Sequence, residues 1–534
     1  MHLTTNSILT KSSLGLCIAL YAGGVLATVD SKSESDFLAD IPVVLTASRI
    51  LQSPLDAPAP VTVIDRETIL DSGFTEIHDI FRLVPGFLVA DWPHGSPIVV
   101  NQGMGDAQSR RLLVLLDGRA LFDPFKGGVE WQDLPLRLED IERIEVVRGP
   151  NPASYGANAF QGIINIITRV PLGESEQGLV LRAGRHEIGD LYAYMTRGQG
   201  DLNWRISASA RQASNFGDPK LAQEMIRRQA LNGQLIKTLA GNTELSFRLG
   251  LSNGETEIGK VADASDPPRT AETQNVFFDV GWKRFYAENS EVSLRYYHYG
   301  RKARDQFSVV NNGLPVPFPA NEPFVAALSI LDNVDVRRDD FEFQQIHAWS
   351  DALIGLWGVG VRNDAAESPN ALFGLGSVGG WQGQLFGNLD WKAAPKWLLH
   401  VGGMVEKHYN TDLLLSPRLA LNHSLTPTQS LRFSIGRGYR APTIFEQNAR
   451  EKTTWSGGIA EIDHYQAGEK PPMNPGFPGV GKLFCHPTGT EGCISGLLTT
   501  QFQPIAPSWA DLSLRRHRPP NLRLGFHQIQ QSQK

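Results

Sequence analysis

Residues 141–168 read IERIEVVRGPNPASYGANAFQGIINIIT. Ile141, Ile144, Val146 and Val147 are strand formers, and Gly149-Pro150 ends their run. Pro150 has no N–H and a fixed φ, so the chain turns there. Gly156 and Gly162 bracket a segment of small residues, after which Ile163, Ile164, Ile166 and Ile167 form a second strand. The stretch therefore reads as strand, turn, strand, and it divides the chain into two unlike halves.

Upstream, residues 57–140 have the mixed pattern of a small globular domain. Val61 to Ile64 reads as a strand running into a helix that starts at Asp65, with Thr68 in its first turn. Ile77, Ile80, Phe81 and Val84 recur at helical spacing, and Pro85-Gly86 ends that helix. Leu112 to Leu116 is a buried strand followed by a tight Asp117-Gly118 turn.

Downstream, segments of period-2 alternation recur between turns. They include GLVLRAG (178–184), DLYAYMTR (190–197), NWRISASAR (203–211), TELSFRLGL (243–251), EVSLRYYHYG (291–300), LFGNLDW (385–391) and KWLLHVGGMVE (396–406). Aromatic residues sit near their ends. Longer Gly/Pro/Asp-rich stretches (253–272, 303–336, 364–380 and 448–505) separate some pairs. Apolar-out, polar-in strands with short turns at one end and long loops at the other form an outer-membrane barrel. No repeat of blade length argues for a propeller.

The 534 residues carry a net charge of −6 with a pI near 6.1, which offers nothing for a nucleic acid to bind. After the N-terminus no apolar run reaches the roughly 18 residues a spanning helix needs. The N-terminus has Lys11, an apolar stretch from Leu14 to Leu26, and short side chains at Val25 and Ala27, the pattern of a cleaved export signal over residues 1–27. Residues 28–56 then begin as a polar, flexible segment. Within it Ile41, Pro42, Val43, Val44, Leu45 and Thr46 form a short β-prone stretch suited to joining another protein's sheet edge. Of three cysteines, Cys485 and Cys493 lie close together in CHPTGTEGC, which in an exported protein suggests a local disulfide; zinc, with His486 beside them, is the competing reading.

The 141–168 stretch, with its R-G-P turn and G-x-I-N-I-I-T ending, resembles the end of the plug domain of TonB-dependent outer-membrane receptors. The likeness extends over residues 41–171, and SPRLAL (416–421) and GYRAPTIFE (438–446) resemble a motif pair of the family's barrels. The resemblance implies an α+β plug (57–171) followed by a transmembrane antiparallel β-barrel (172–450). It makes Ile41–Thr46 the TonB box, pulled by the energy-coupling protein TonB. It makes Arg148 a lock held by glutamates of the inner barrel wall. The family's second plug arginine is replaced by Gln102 before Gly103. The implied function is import of a scarce large ligand across the outer membrane, a ferric siderophore first, with cobalamin or haem as alternatives. For haem, Tyr439–Pro442 is followed by His464, but Asn474-Pro475-Gly476-Phe477 departs from the family's second motif. The chain is expected to hold no resident cofactor and to be no enzyme.

The family's barrels have about 22 strands, whereas roughly 13 or 14 candidates are found here. The tail after 450 is Pro-broken and ends in Gln-Ser-Gln-Lys. An unclosed sheet, an extracellular loop and an irregular tail over 451–534, and a non-transporting receptor remnant as the rival function, are the expectations. Gly250–Gly254 matches the G-x-S-x-G of a nucleophile elbow, but no helical pattern follows it.

Overall fold

A computed structural model describes residues 43–456 apart from 93–95, 104–107, 172–174, 186–187, 215–224, 260–266, 312–325, 410 and 427–428, and beyond 456 the backbone of a few short strands. The export signal, Ile41 and Pro42 lie outside the described residues, as does the side chain of His464.

The plug contains β1 (Val61–Asp65), β2 (Phe87–Trp92), β3 (Ser96–Asn101), β4 (Leu112–Leu116), β5 (Arg119–Ala120), β6 (Ile141–Arg148) and β7 (Gly162–Thr168). Five of them form one sheet in the order β1-β6-β7-β4-β5, with β4 and β7 parallel and the other pairs antiparallel. Asp65 caps helix α1 (Arg66–Asp71) by accepting the Thr68 N–H at 2.8 Å, as its side chain and position require. The second helical stretch is a 3-10 helix, His78–Leu83, rather than an α-helix. Asp117 and Gly118 both have positive φ, the backbone of a tight turn between β4 and β5. A core of Ile80, Phe81, Leu116, Trp131, Ile144 and Ile166 fills the space between the sheet and the 3-10 helix.

The wall is one antiparallel sheet of thirteen strands. In chain order these begin with β8 (Glu176–Ala183), β9 (Gly189–Gln199), β10 (Leu202–Ala213), β11 (Ile226–Leu239), β12 (Thr243–Ile258), β13 (Arg269–Ala287) and β14 (Ser290–Arg304). A hairpin outside the wall, β15 (Gln306–Asn311) and β16 (Ala326–Leu331), intervenes. The wall resumes with β17 (Val334–Ser350), β18 (Leu353–Glu367), β19 (Ser377–Ala394), β20 (Trp397–Lys407), β21 (Leu414–Thr426) and β22 (Gln429–Gly438). Each strand pairs with its neighbour in sequence, except that β14 pairs with β17 across the hairpin. Leu179, Leu181, Phe247, Val280, Trp357, Leu385 and Val401 face outward, while the residues between them face the plug. Gly250–Gly254 lies inside β12, with strand rather than helix after it, so no nucleophile elbow exists there.

Several strands run further than their alternation predicts. Residues 253–258 and 364–367, expected in loops, continue β12 and β18. Beyond the apolar band both faces are polar, so the period-2 signal vanishes while the ladder continues. Among the described residues β8 pairs only with β9, so the sheet is open at that edge, as expected. The tail departs from the expected irregularity: Trp509–Asp511 pairs antiparallel with Arg437 and Gly438 of β22, and Gly525–Gln530 is a strand antiparallel to Gln429–Ser434 of β22. The Pro519-Pro520 break lies before this segment, so it does not interrupt the ladder.

Candidate functional site: the seam between plug and wall

The residues just before the plug sheet, Val43–Ala59, do not hang free. They form a strap pressed between the plug and strands β17–β22. Val44 and Gln52 exchange backbone hydrogen bonds at 2.8 and 3.0 Å, folding the strap into a tight loop. Glu145 of β6 organises its upper part. Its fully buried carboxylate accepts the N–H groups of Leu45 and Thr46 at 3.0 and 2.9 Å and the Thr46 hydroxyl at 2.5 Å, while Arg143 Nε donates to its other oxygen at 2.9 Å. A buried carboxylate is tolerated only when paired and hydrogen-bonded, and these four donors meet that need. Val44 and Thr46 are thus buried, which corrects the expected flexible segment for its described part; Val43 and Leu45 remain exposed.

The wall grips the strap from the other side. Arg49, held at a positive φ of 64°, donates to Glu342 of β17 at 2.8 Å and to the Ser154 carbonyl at 2.7 Å. Its guanidinium lies 4.5 Å from the Tyr155 ring centroid and 4.2 Å from that of Phe386. Asn388 donates to the Ser48 carbonyl at 3.3 Å, and Arg418 donates to the Ala47 carbonyl at 3.1 Å. Lower down, the Asp56 carbonyl meets His400 Nε2 at 2.8 Å and accepts from Asn422 at 2.7 Å, while Ser430 and Arg432 bond the carbonyls of Leu55 and Pro54. Strap carbonyls, otherwise orphaned against the wall, are thereby satisfied by wall side chains.

The rest of the plug is joined to the wall by charge. Arg137 pairs with Asp190 at 2.7 Å, Arg211 with Glu76 at 2.5 Å, and Arg182 bonds Glu139. Tyr192 and Arg205 converge on Asp140. Arg301 reaches Asp123 at 3.1 Å, and Arg338, bidentate on Asp364, also donates to the Phe122 carbonyl at 2.8 Å. The buried Arg119 guanidinium lies over the Phe277 ring, and burial pulls it down to about 10. Gly156 ends the short helix α2 (Pro152–Tyr155) at φ 77°, and a Cβ there would collide with the Glu406 carboxylate, which accepts the Ala157 N–H at 2.7 Å.

The GYRAPTIFE segment closes the other end of the seam. Thr443 and Glu446 form a reciprocal capping box at the start of helix α3 (Ile444–Asn448). Glu446 also takes Arg440 at 2.7 Å and Arg110 of the plug at 2.8 Å. Burial alone would raise its carboxyl. The bonds from Arg440 and the Thr443 N–H, with the charges of Arg440 and Arg110, hold it below the usual carboxylate range.

Arg148 does not carry the lock expected of it. Its backbone N–H bonds the Pro60 carbonyl at 2.9 Å, and its Nε is buried without a hydrogen-bond partner among the described residues. It closes β6 beside β1, whereas Arg49 and Arg110 occupy the positions that reach wall-side carboxylates. Neither Arg49, Glu145, Glu342 nor Glu446 was singled out by sequence. Glu145 left a signal: a lone carboxylate between Ile144 and Val146-Val147 in an apolar strand. Cys485 and Cys493 are opposite each other in backbone register, and their side chains lie outside the described residues.

A globular plug held by polar contacts inside a wall with an apolar outer face defines a plugged β-barrel receptor. A family model described as "TonB-dependent Receptor Plug Domain" matches residues 53–163, and one described as "TonB dependent receptor-like, beta-barrel" matches 201–478. The chain belongs to the TonB-dependent receptor family. It is 24% identical over 446 residues to the "Iron-regulated outer membrane virulence protein" of Vibrio cholerae, covering 79% of this chain and 63% of that one. It is 26% identical over 275 residues to the "Vitamin B12 transporter BtuB" of Photobacterium profundum, covering 51% of this chain and 42% of that one. A crystal structure of the ferric enterobactin receptor PfeA of Pseudomonas aeruginosa shares the fold, with a TM-score of 0.59 at 18% identity, over 77% of this chain and 66% of that one. The chain spans less than two-thirds of the length of these curated relatives.

Proposed function

We propose that this chain acts as an exported outer-membrane receptor that imports a ferric siderophore, driven through TonB at Ile41–Thr46. The observation that carries the proposal is the strap. The segment immediately upstream of the plug is bonded to Glu145 on one side and to Glu342, Asn388, His400 and Asn422 on the other. A pull on its N-terminal end is therefore delivered to plug and wall together. Ligand binding in turn has to bias the docked strap against a released one for TonB to sense it. Iron over cobalamin is favoured by the iron-regulated relative, which matches a longer part of this chain than the B12 transporter does. Cys485 and Cys493 form a disulfide in the region after the wall.

A substitution that spares the docked strap tests the TonB box. The N–H groups of Val44, Leu45 and Thr46 are engaged within the docked strap. Val43→Pro leaves those bonds intact and removes one N–H needed for strand addition to TonB. With ferric enterobactin and cyanocobalamin as probes, the receptor is expected to bind and take up the ferric probe. Val43→Pro is expected to bind it and not take it up. Uptake of cyanocobalamin instead, or full uptake by Val43→Pro, overturns the corresponding half of the proposal.

A further inference from the structure

The outer face of the wall is not evenly covered. On strands β17–β20 it carries a groove of about 450 Å³, a size that holds a small amphipathic molecule. Register builds the groove from two neighbouring rows of outward positions. Gln345, Trp357, Gly387 and Gly403 lie side by side in one, and His347, Gly355, Leu389 and Val401 in the next. Gly387 and Gly403 bring no side chain, so the floor between them is bare backbone. Trp357 stands at one end of it, and Leu389 and Val401 along one side.

Nothing within the described chain asks for those two glycines. Neither has a positive φ. A Cβ on Gly387 would meet nothing closer than the Leu356 carbonyl at 3.4 Å, and one on Gly403 nothing closer than the Ser416 carbonyl at 3.8 Å. Gly355 differs, because a Cβ there would collide with the Trp349 ring that lies across it. Glycine inside a strand weakens it and marks a place where something approaches the backbone closely. At Gly355 that something is Trp349. At Gly387 and Gly403 it has to come from outside the chain.

Depth and charge identify the occupant. Turns 351–352 and 395–396 are short, whereas the connections at the other ends of these strands, 305–333 and 368–376, are long, so the groove lies toward the periplasmic side. Exposed Trp349, Trp391 and Trp397 stand beside the short turns, at the level of lipid headgroups. Leu389 is the next outward position in from Trp391, so the groove starts at that level and runs into the hydrocarbon. Lys392 and Lys396 are exposed at the 395–396 turn and have no ion pair among the described residues, while the 351–352 turn adds one carboxylate, Asp351. At the rim Trp357 Nε1 donates to Gln345 at 3.1 Å, and Gln345 Nε2 donates to the Tyr286 hydroxyl at 3.2 Å. Cations at the mouth, polar groups at the rim and an apolar furrow behind them match the phosphate, ester and acyl chain of a phospholipid.

We infer that this groove binds one anionic phospholipid of the periplasmic leaflet, with its acyl chain over Gly387 and Gly403 and its phosphate facing Lys392 and Lys396. The inference takes from the import reading only that the wall spans the outer membrane. Its test uses neither an iron ligand nor TonB, so either can fail without the other. The full chain in mild detergent is titrated with phosphatidylglycerol or phosphatidylethanolamine, and bound lipid is counted by native mass spectrometry. The parent should retain one phosphatidylglycerol in preference to phosphatidylethanolamine. Gly387→Leu with Gly403→Leu fills the floor and should weaken that retention by about tenfold or more, the factor that goes with losing contact to two methylenes. Gly383→Leu adds bulk to the same face of β19 outside the groove and should leave retention unchanged. Lys392→Gln with Lys396→Gln changes only exposed side chains and should weaken phosphatidylglycerol by about fivefold or more, toward the level of phosphatidylethanolamine. Circular dichroism checks that each variant keeps its strand content, and the glutamine pair carries the test if the leucine pair does not fold. Parent-like retention in the glutamine pair or in a folded leucine pair would refute the site, and so would an equal loss in Gly383→Leu. Lipopolysaccharide or a second copy of the chain on the parent, displaced by the leucines, would overturn the assignment to a phospholipid.

Discussion

In plug strand β4 all five residues are buried, whereas in wall strand β8 exposure alternates residue by residue. The plug is an ordinary globule: its apolar side chains point to a shared core and its charges point outward. The wall is inverted. Its leucines, valines and tryptophans face outward, and its buried groups include Arg205, Asp279, Arg338, Asp364, His400 and Arg418. The two regions meet mostly where the plug's outward charges face the wall's inward ones, so the seam is made mainly of ion pairs and carbonyl contacts, with two small apolar clusters bridging it: Phe125 with Val334, Val336 and Ala366, and Ile50 with Leu356, Phe386 and Met404. Such a seam is stable when its buried charges are paired, and its opening exposes little apolar surface beyond those two clusters. That combination suits a domain which must sit tightly and still move.

Three changes test this contrast, in falling order of effect. Phe81 is fully buried beside Trp131, with ring centroids 5.2 Å apart. Phe81→Ala should cost the plug about 3–5 kcal/mol, read from denaturant unfolding. The same truncation at outward-facing Phe247 should leave plug unfolding unchanged, and equal losses at both sites would erase the distinction between the regions.

Glu145→Ala strips the partner from two backbone N–H groups and the Thr46 hydroxyl. A cost of roughly 3 kcal/mol is expected at the strap, seen as faster proteolytic cleavage within 43–57 while the plug sheet keeps its hydrogen-exchange protection. Loss of protection throughout the plug would show that strap and plug are one cooperative unit.

Glu446→Gln has the smallest expected effect, about 1 kcal/mol. The folded carboxyl lies below its usual value of about 4.3. Its contribution is therefore complete above that value and lost as pH falls through the folded one. The difference in melting temperature between the parent and Glu446→Gln should be present at neutral pH and vanish in acid. A difference that persists unchanged in acid would mean that the Arg110 and Arg440 pairs contribute nothing through charge.

Much of the architecture was legible in local chemistry. Pro150 cannot continue a strand, Asp65 caps a helix, Asp117-Gly118 turns the chain, and alternation after Gly178 sets one apolar face and one polar face. These follow from residue types at fixed spacing, because steric and hydrogen-bond rules act between near neighbours. Where the alternation of a strand turns weak, as past Ser252 and in Gly525–Gln530, the local signal lapsed and the extent of the ladder had to come from its partner strand. The seam was not legible at all. Glu145 accepts from residues about 100 positions upstream, Arg49 meets Glu342 across 293 positions, and Arg110 meets Glu446 across 336. Sequence shows that such charges exist and that a buried one needs a partner. Which arginine takes which carboxylate, Arg49 with Glu342 rather than Arg148 with a wall glutamate, was decided only by the tertiary structure, because pairing depends on distances that the closed seam alone creates.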